Sequence, residues 1–145
     1  MGKRRKSREF ALQVLYQLDI TKQEANKALN QWKKHFSPKG EKNGFTEQIV
    51  KGVIEHSQEI DDLIERYSDN WRLGRMNIID RNILRMAIFE LLYCEEVPPK
   101  VTLNEAIDLG KRYGNQDSGS FINGILDRIQ NKAVHKPLQP KFLQK

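Results

Sequence analysis

The sequence predicts an all-α fold of six or seven helices. Three observations support it. Apolar residues recur at three- and four-residue spacing in every patterned segment, the period of a helix with one buried face. Turn-forming stretches such as SPKGEKNG and VPPK fall between those segments. No segment alternates apolar and polar residues with the two-residue period of a strand.

The elements follow in order. In REFALQVLYQLDI, Phe10, Val14 and Leu18 recur every four positions, with Ala11 and Leu15 beside them. TKQEANKALNQWKKHF places Ala25, Ala28, Leu29, Trp32 and Phe36 on one side. Beyond the SPKGEKNG loop, FTEQIVKGVIEHSQEIDDLIERYSD carries Ile49, Val53, Ile60, Leu63, Ile64 and Tyr67 and is long enough for two helices. Ser57 starts the second, and Glu59, Asp61 and Asp62 put negative charge at its N-terminal dipole. Asn77 caps the next helix, IIDRNILRMAIFELLYCEEV, with Asp80 three residues on. That segment is apolar almost all round, as expected of an enclosed helix at the centre of a bundle. Pro98 and Pro99 end it. Thr102 opens a further helix through a T-L-N-E box, Glu105 reaching back to the cap. It runs to Tyr113, with Gly114 as the residue beyond its end. Asp117 or Ser118 caps the last helix, which carries Phe121, Ile122, Ile125, Leu126 and Ile129.

A chain of 145 residues buries a core without disulfide or metal support. Cys94, the single cysteine, reads as a small core residue, and the absence of a second fits a reduced, cytoplasmic compartment. No apolar run approaches the roughly 18 to 20 residues of a membrane span. The basic start lacks the unbroken apolar stretch and cleavage site of a signal peptide. The net charge of +6 is concentrated at the ends. Lys3, Arg4, Arg5, Lys6 and Arg8 lie at one terminus, and Lys132, Lys136, Lys141 and Lys145 at the other. Removing those nine from 25 basic residues leaves 16 against 19 acids, a body at −3. Charge loaded on the ends points to a polyanionic partner more than to a requirement of folding.

The stretch GNQDSGSFINGILD, residues 114–127, invites two enzyme readings. A phosphate-binding loop needs a lysine where Ser120 stands and a strand where a helix precedes. A serine nucleophile needs a histidine base, and His35, His56 and His135 are scattered along the chain with nothing to bring one to Ser118 or Ser120. No His, Cys or Asp cluster has the spacing of metal ligands. The expectation is therefore no catalytic residue, no metal site and no cofactor.

Three blocks stand out together: RRKSREFALQVLYQLD, IIDRNILRMAIFELLY, and VPPKVTLNEAIDLGKRYGNQDSGSFINGILDRI. They resemble the NusB family of bacterial transcription antitermination factors. The N-terminal domain of some ribosomal RNA cytosine methyltransferases is similar, but nothing in this sequence reads as the large cofactor-binding domain that follows there. The resemblance implies two small helical bundles packed together within one domain, residues 1–145. They span about 9–72 and about 73–132, between a basic arm (1–8) and a flexible tail (133–145), the second opening around the helix after Asn77. It also implies a protein partner, the ribosomal protein NusE, and an RNA target, the single-stranded boxA element of ribosomal RNA leaders. The assembly would join RNA polymerase with NusA and NusG. The free protein is expected to be a monomer or weak homodimer. Two other readings compete: a helical protein–protein adaptor, and an accessory RNA-binding domain linked to rRNA modification.

Residue chemistry supplies candidates for RNA contact. Single-stranded RNA is held by cations on phosphates and by aromatic faces on splayed bases. Lys3, Arg4, Arg5, Lys6 and Arg8 are the cations. If all five neutralise phosphates, log K falls with log salt at a slope of about −3.5. Tyr113 and Phe121 flank the small-residue stretch, and Phe121 reads equally as a core residue beside Ile125. Asp117 and Ser118 read first as N-caps, a role compatible with contact to RNA. Gly119 and Ser120 keep the surface low there. For the protein partner the resemblance points to Tyr16 and Asp80, though Asp80 reads equally as a capping acid. Arg81 and Arg85 share a face and suit ion pairs with Glu residues elsewhere in the fold.

Overall fold

A computed structural model describes residues 2–36, 44–69 and 71–134, without the side chains of residues 2, 3, 35 and 36. Most of the SPKGEKNG loop, the side chains of Lys3 and Phe36, and the chain from His135 onward lie outside it. Seven α-helices and one 3₁₀ turn, Leu73–Arg75, make up the described residues, and no strand occurs among them. The helices are α1 (Gly2–Thr21), α2 (Ala25–Phe36), α3 (Phe45–Glu55), α4 (Ser57–Tyr67), α5 (Ile78–Tyr93), α6 (Pro99–Tyr113) and α7 (Ser118–Lys132).

α5 is the centre, as its all-round apolarity predicts. It packs against α1, α3, α4, α6 and α7, and Ile83, Leu84, Met86, Ile88 and Leu91 are fully enclosed. Asn77 caps it as expected, its Oδ1 accepting the Asp80 N–H at 2.8 Å. α1, α2 and α3 pack together on one side of α5, and α6 and α7 on the other, while α4 reaches both α5 and α7. One continuous apolar cluster joins all seven helices. Gly52 of α3 makes room for the Phe89 ring of α5, since a Cβ there would lie 2.1 Å from it.

The structure corrects four local expectations. Residues 2–8 are not a separate arm: α1 is helical from Gly2, with no breaker before Thr21 and with acids elsewhere in the fold pairing its arginines. α6 starts at Pro99 rather than Thr102, because proline suits the first helical position with its fixed φ and missing N–H. The T-L-N-E box is therefore interior, Thr102 donating to Glu90 at 3.2 Å and Glu105 receiving Arg5. The tail does not begin at residue 133, since Val134 is buried in the core. The acids of α4 do more than put charge at its N-terminal dipole: Asp61 accepts Arg85, and Glu59 accepts the Tyr93 hydroxyl.

Candidate nucleic-acid interface

The N-terminal half of α1 lies along α6, so residues about a hundred apart in the sequence meet. Arg5 grips Glu105 through Nε and Nη2, at 3.2 and 2.9 Å, and also reaches Asp108 at 3.0 Å. Those hydrogen bonds hold the Glu105 carboxyl below its ordinary range. Arg4 stacks over the Phe45 ring at 4.2 Å and pairs with Glu96 at 3.5 Å. Lys6 is exposed and has no ion pair among the described residues. Further along, Arg112 and the Tyr113 hydroxyl both donate to Glu9, at 2.7 and 3.0 Å.

Arg8 departs from its expected role as a phosphate contact. Only 4% of it is exposed, and it forks onto Glu90 with hydrogen bonds of 2.9 and 2.8 Å. Helical geometry explains the difference: Arg8 lies three residues before Ala11 and four before Leu12, on the face of α1 that enters the core.

These contacts open a groove of about 540 Å³, lined by Lys6, Glu9, Phe10, Gln13 and Tyr16 of α1, Ile79 of α5 and Tyr113 of α6. Residues expected to meet RNA (Lys6, Tyr113) thus share one concave surface with the residue expected to meet a protein (Tyr16). Tyr16 and Tyr113 are both well exposed.

The turn between α6 and α7 is organised by Asn115. Its Oδ1 accepts the Asp117 N–H at 2.8 Å, and its own N–H donates to the Ser118 hydroxyl oxygen at 2.9 Å. Asp117 occupies the N-cap position but makes no side-chain cap bond, so its exposed carboxylate remains available. Ser118 is fully buried and is not a surface contact. Gly114 serves close approach rather than chain reversal: its φ is −93°, and a Cβ there would sit 2.2 Å from the Ser118 hydroxyl oxygen. Gly119 is also buried, and its missing side chain leaves room for the stem of Lys111, whose Cγ would lie 3.2 Å from a Cβ. An exposed cation, Lys111, therefore runs beside the N-terminal turn of α7. Nothing local in the sequence announced it. Its position depends on how α6 and α7 cross.

Phe121 has the core contact of one of its readings. It is partly buried against the core, and its ring meets Trp71 with centroids 6.1 Å apart and planes at 71°. Trp71, which lies outside every helical segment read from the sequence, is half-exposed.

Asp80 departs from the expectation of partner contact. It is 5% exposed, and its Oδ1 has no hydrogen-bond partner among the described residues. Burial pushes its carboxyl up, and the Ser118 hydroxyl offsets that only in part. Arg81 and Arg85 do pair within the fold, with aspartates. Arg81 donates twice to Asp19 at 2.8 Å, and Arg85 donates to Asp19 at 3.0 Å and Asp61 at 2.9 Å. Cys94 is buried and accepts from Gln48 Nε2 at 3.7 Å. Among the described residues no group of three His, Cys, Asp or Glu is placed to hold a metal ion, and no helix is long and apolar enough to cross a membrane.

Fold and surface together define a small all-α protein with a cationic helix start, a tyrosine-flanked groove and a small-residue turn organised by Asn115. The chain belongs to the NusB family, whose profile matches residues 5–131. It is 49% identical over 136 residues to a transcription antitermination protein NusB of Syntrophus aciditrophicus, covering 94% of this chain and 84% of that one. Among solved structures it is similar to T. maritima NusB, with a TM-score of 0.83 and 36% identity over 92% of this chain and 93% of that one. A crystal structure of antitermination factors NusB and NusE in complex with dsRNA matches with a TM-score of 0.78 and 27% identity, over 90% of this chain and 98% of that one.

Proposed function

We propose that this protein is a transcription antitermination factor that binds boxA-type single-stranded RNA together with the ribosomal protein NusE. It acts by binding alone, in the cytoplasm, and in company with NusA and NusG helps RNA polymerase read through terminators, notably in ribosomal RNA operons. The observation that carries this reading is the groove between α1 and α6. Lys6, Tyr16 and Tyr113, from opposite ends of the sequence, line one surface of about 540 Å³. A cation for phosphate and two exposed tyrosines suit a site where an RNA strand and a protein share an edge. Membership of the NusB family and likeness to a NusB–NusE–RNA assembly support the same partners.

The RNA contacts proposed are Arg4, Arg5, Lys6, Tyr113, Asp117 and Phe121, with Lys3 beside them on the first turn of α1 and Lys111 added by the structure. Tyr16 is the proposed protein contact. The test is gel-shift titration of a boxA-type RNA with and without NusE. Tighter RNA binding in the presence of NusE is expected. Failure to bind RNA under either condition, with NusE still captured, would replace this reading with that of a protein–protein adaptor.

A further inference from the structure

Trp71 is 51% exposed, yet its backbone is tied to Ser68. Its N–H donates to the Ser68 carbonyl at 3.2 Å, and the Ser68 hydroxyl donates to the Trp71 carbonyl at 2.8 Å. The indole rests against Phe121, one turn into α7 and next to Ser120. Beyond Trp71 the chain enters the 3₁₀ turn, where Arg72 and Arg75 are exposed and form no ion pair among the described residues. The nearby acids are engaged: Asp69 pairs with Arg128 at 2.8 Å, and Glu65 accepts the Leu73 N–H at 2.9 Å.

A single exposed aromatic needs no explanation by itself. The combination does: an indole on an aromatic seat with its backbone tied to Ser68, two arginines without ion pairs in the turn that follows it, and continuity with the α6–α7 turn. Stacking surface plus cations spaced along a strand is how single-stranded nucleic acid is gripped. We propose that Trp71 is a base-stacking platform seated on Phe121, with Arg72 and Arg75 holding the adjoining phosphates. RNA bound at the α6–α7 turn then continues onto the loop between α4 and α5. This rests on the RNA-binding function proposed above and adds a second contact region to it. Two arginines without acidic neighbours to spare favour a polyanion over a protein surface of mixed charge.

The chain has two tryptophans, and Trp32 is buried in the core, so quenching of emission by RNA reports on Trp71. The full chain is titrated with a boxA-type single-stranded RNA, followed by tryptophan emission and by anisotropy of labelled RNA. Expected are quenching, about tenfold weaker binding for Trp71→Ala, and partial recovery for Trp71→Phe, with similar melting temperatures. Changing Arg72 and Arg75 together to Gln flattens the salt slope by about 1.4. Unquenched emission on binding, or Trp71→Ala and Trp71→Phe binding as tightly as the unaltered chain, overturns the proposal. So does loss of NusE capture with RNA affinity intact, which would make Trp71 a protein contact. Absence of any RNA binding by the unaltered chain fails the RNA-binding function itself, and this inference with it.

Discussion

Arg8 and Glu90 stand 82 residues apart in the chain and meet in the interior through hydrogen bonds of 2.9 and 2.8 Å. Thr102 adds a third bond to the same carboxylate, so α1, α5 and α6 are tied at one point. Two charges removed from water are retained only because each satisfies the other. Losing one leaves the partner buried and uncompensated, at a cost of about 3–5 kcal/mol. Arg8→Ala is therefore expected to destabilise the fold by that order in urea denaturation. Its effect on RNA binding should follow the folded fraction. A variant of normal stability with a flattened salt slope would restore Arg8 to the phosphate-binding set.

Arg5 raises a different expectation, because its guanidinium is half-exposed and already held by Glu105 and Asp108. A phosphate must compete with those carboxylates. Asp108→Asn removes one exposed competitor and should tighten boxA-type RNA binding by about two- to fivefold, the range of a surface ion pair. Anisotropy titration measures it. With Arg8 withdrawn to the interior, Lys3, Arg4, Arg5 and Lys6 give a salt slope of about −2.8 rather than −3.5.

Asp19 collects Arg81, Arg85 and Asn82. Burial works against its charge, but the hydrogen bonds and positive charges outweigh that and hold its carboxyl well below the ordinary range. A depressed folded pKa means the stabilisation is present above the unfolded value of about 4 and is lost as pH falls through the folded one. Asp19→Asn should lower the melting temperature at neutral pH, and its deficit should shrink under strong acid. A deficit independent of pH would mean the cluster is held by shape alone.

Asp80 has the opposite sign. Burial raises its carboxyl, so the folded state disfavours the charge and stability falls as pH rises from the unfolded value toward the folded one. Asp80→Asn should raise the melting temperature at pH 7. Loss of NusE binding without any gain in stability would return Asp80 to the partner surface.

Gly114 sets the approach of α7 to the end of α6. The Cβ of Gly114→Ala would meet both the Ser118 hydroxyl oxygen, at 2.2 Å, and its Cβ, at 2.6 Å. Overpacking of this kind costs about 1–3 kcal/mol. Calorimetry should show it, and an unchanged melting temperature would mean that the turn opens freely.

The helices were legible because their signals are local. A stripe such as Phe10, Val14 and Leu18, the cap at Asn77, and the enclosed character of residues 78–93 each depend on neighbours within a turn or two. The start of α6 misread because two start signals stood close together. Pro99, fixed in φ, took the first position and left Thr102 free to serve Glu90. The candidate surface was legible as a set of residue types but not as an arrangement. Tyr16 and Tyr113 were both singled out, yet their shared groove depends on how α1 crosses α6. Trp71 and Lys111 matter only through neighbours distant in sequence, Phe121 and Gly119.

By itself the sequence determined the all-α class, the central helix and the family. These rest on periodicity, on local capping and on motifs at fixed spacing. Tertiary structure alone decided which charges face water. Arg4, Arg5, Lys6 and Arg8 look interchangeable as a run. Helical rotation sends Arg8 inward to Glu90, leaves Lys6 on the groove, and commits Arg5 to carboxylates on α6. A run of basic residues states how much charge is present. The packing of the helix that carries it decides how much is left to offer a partner.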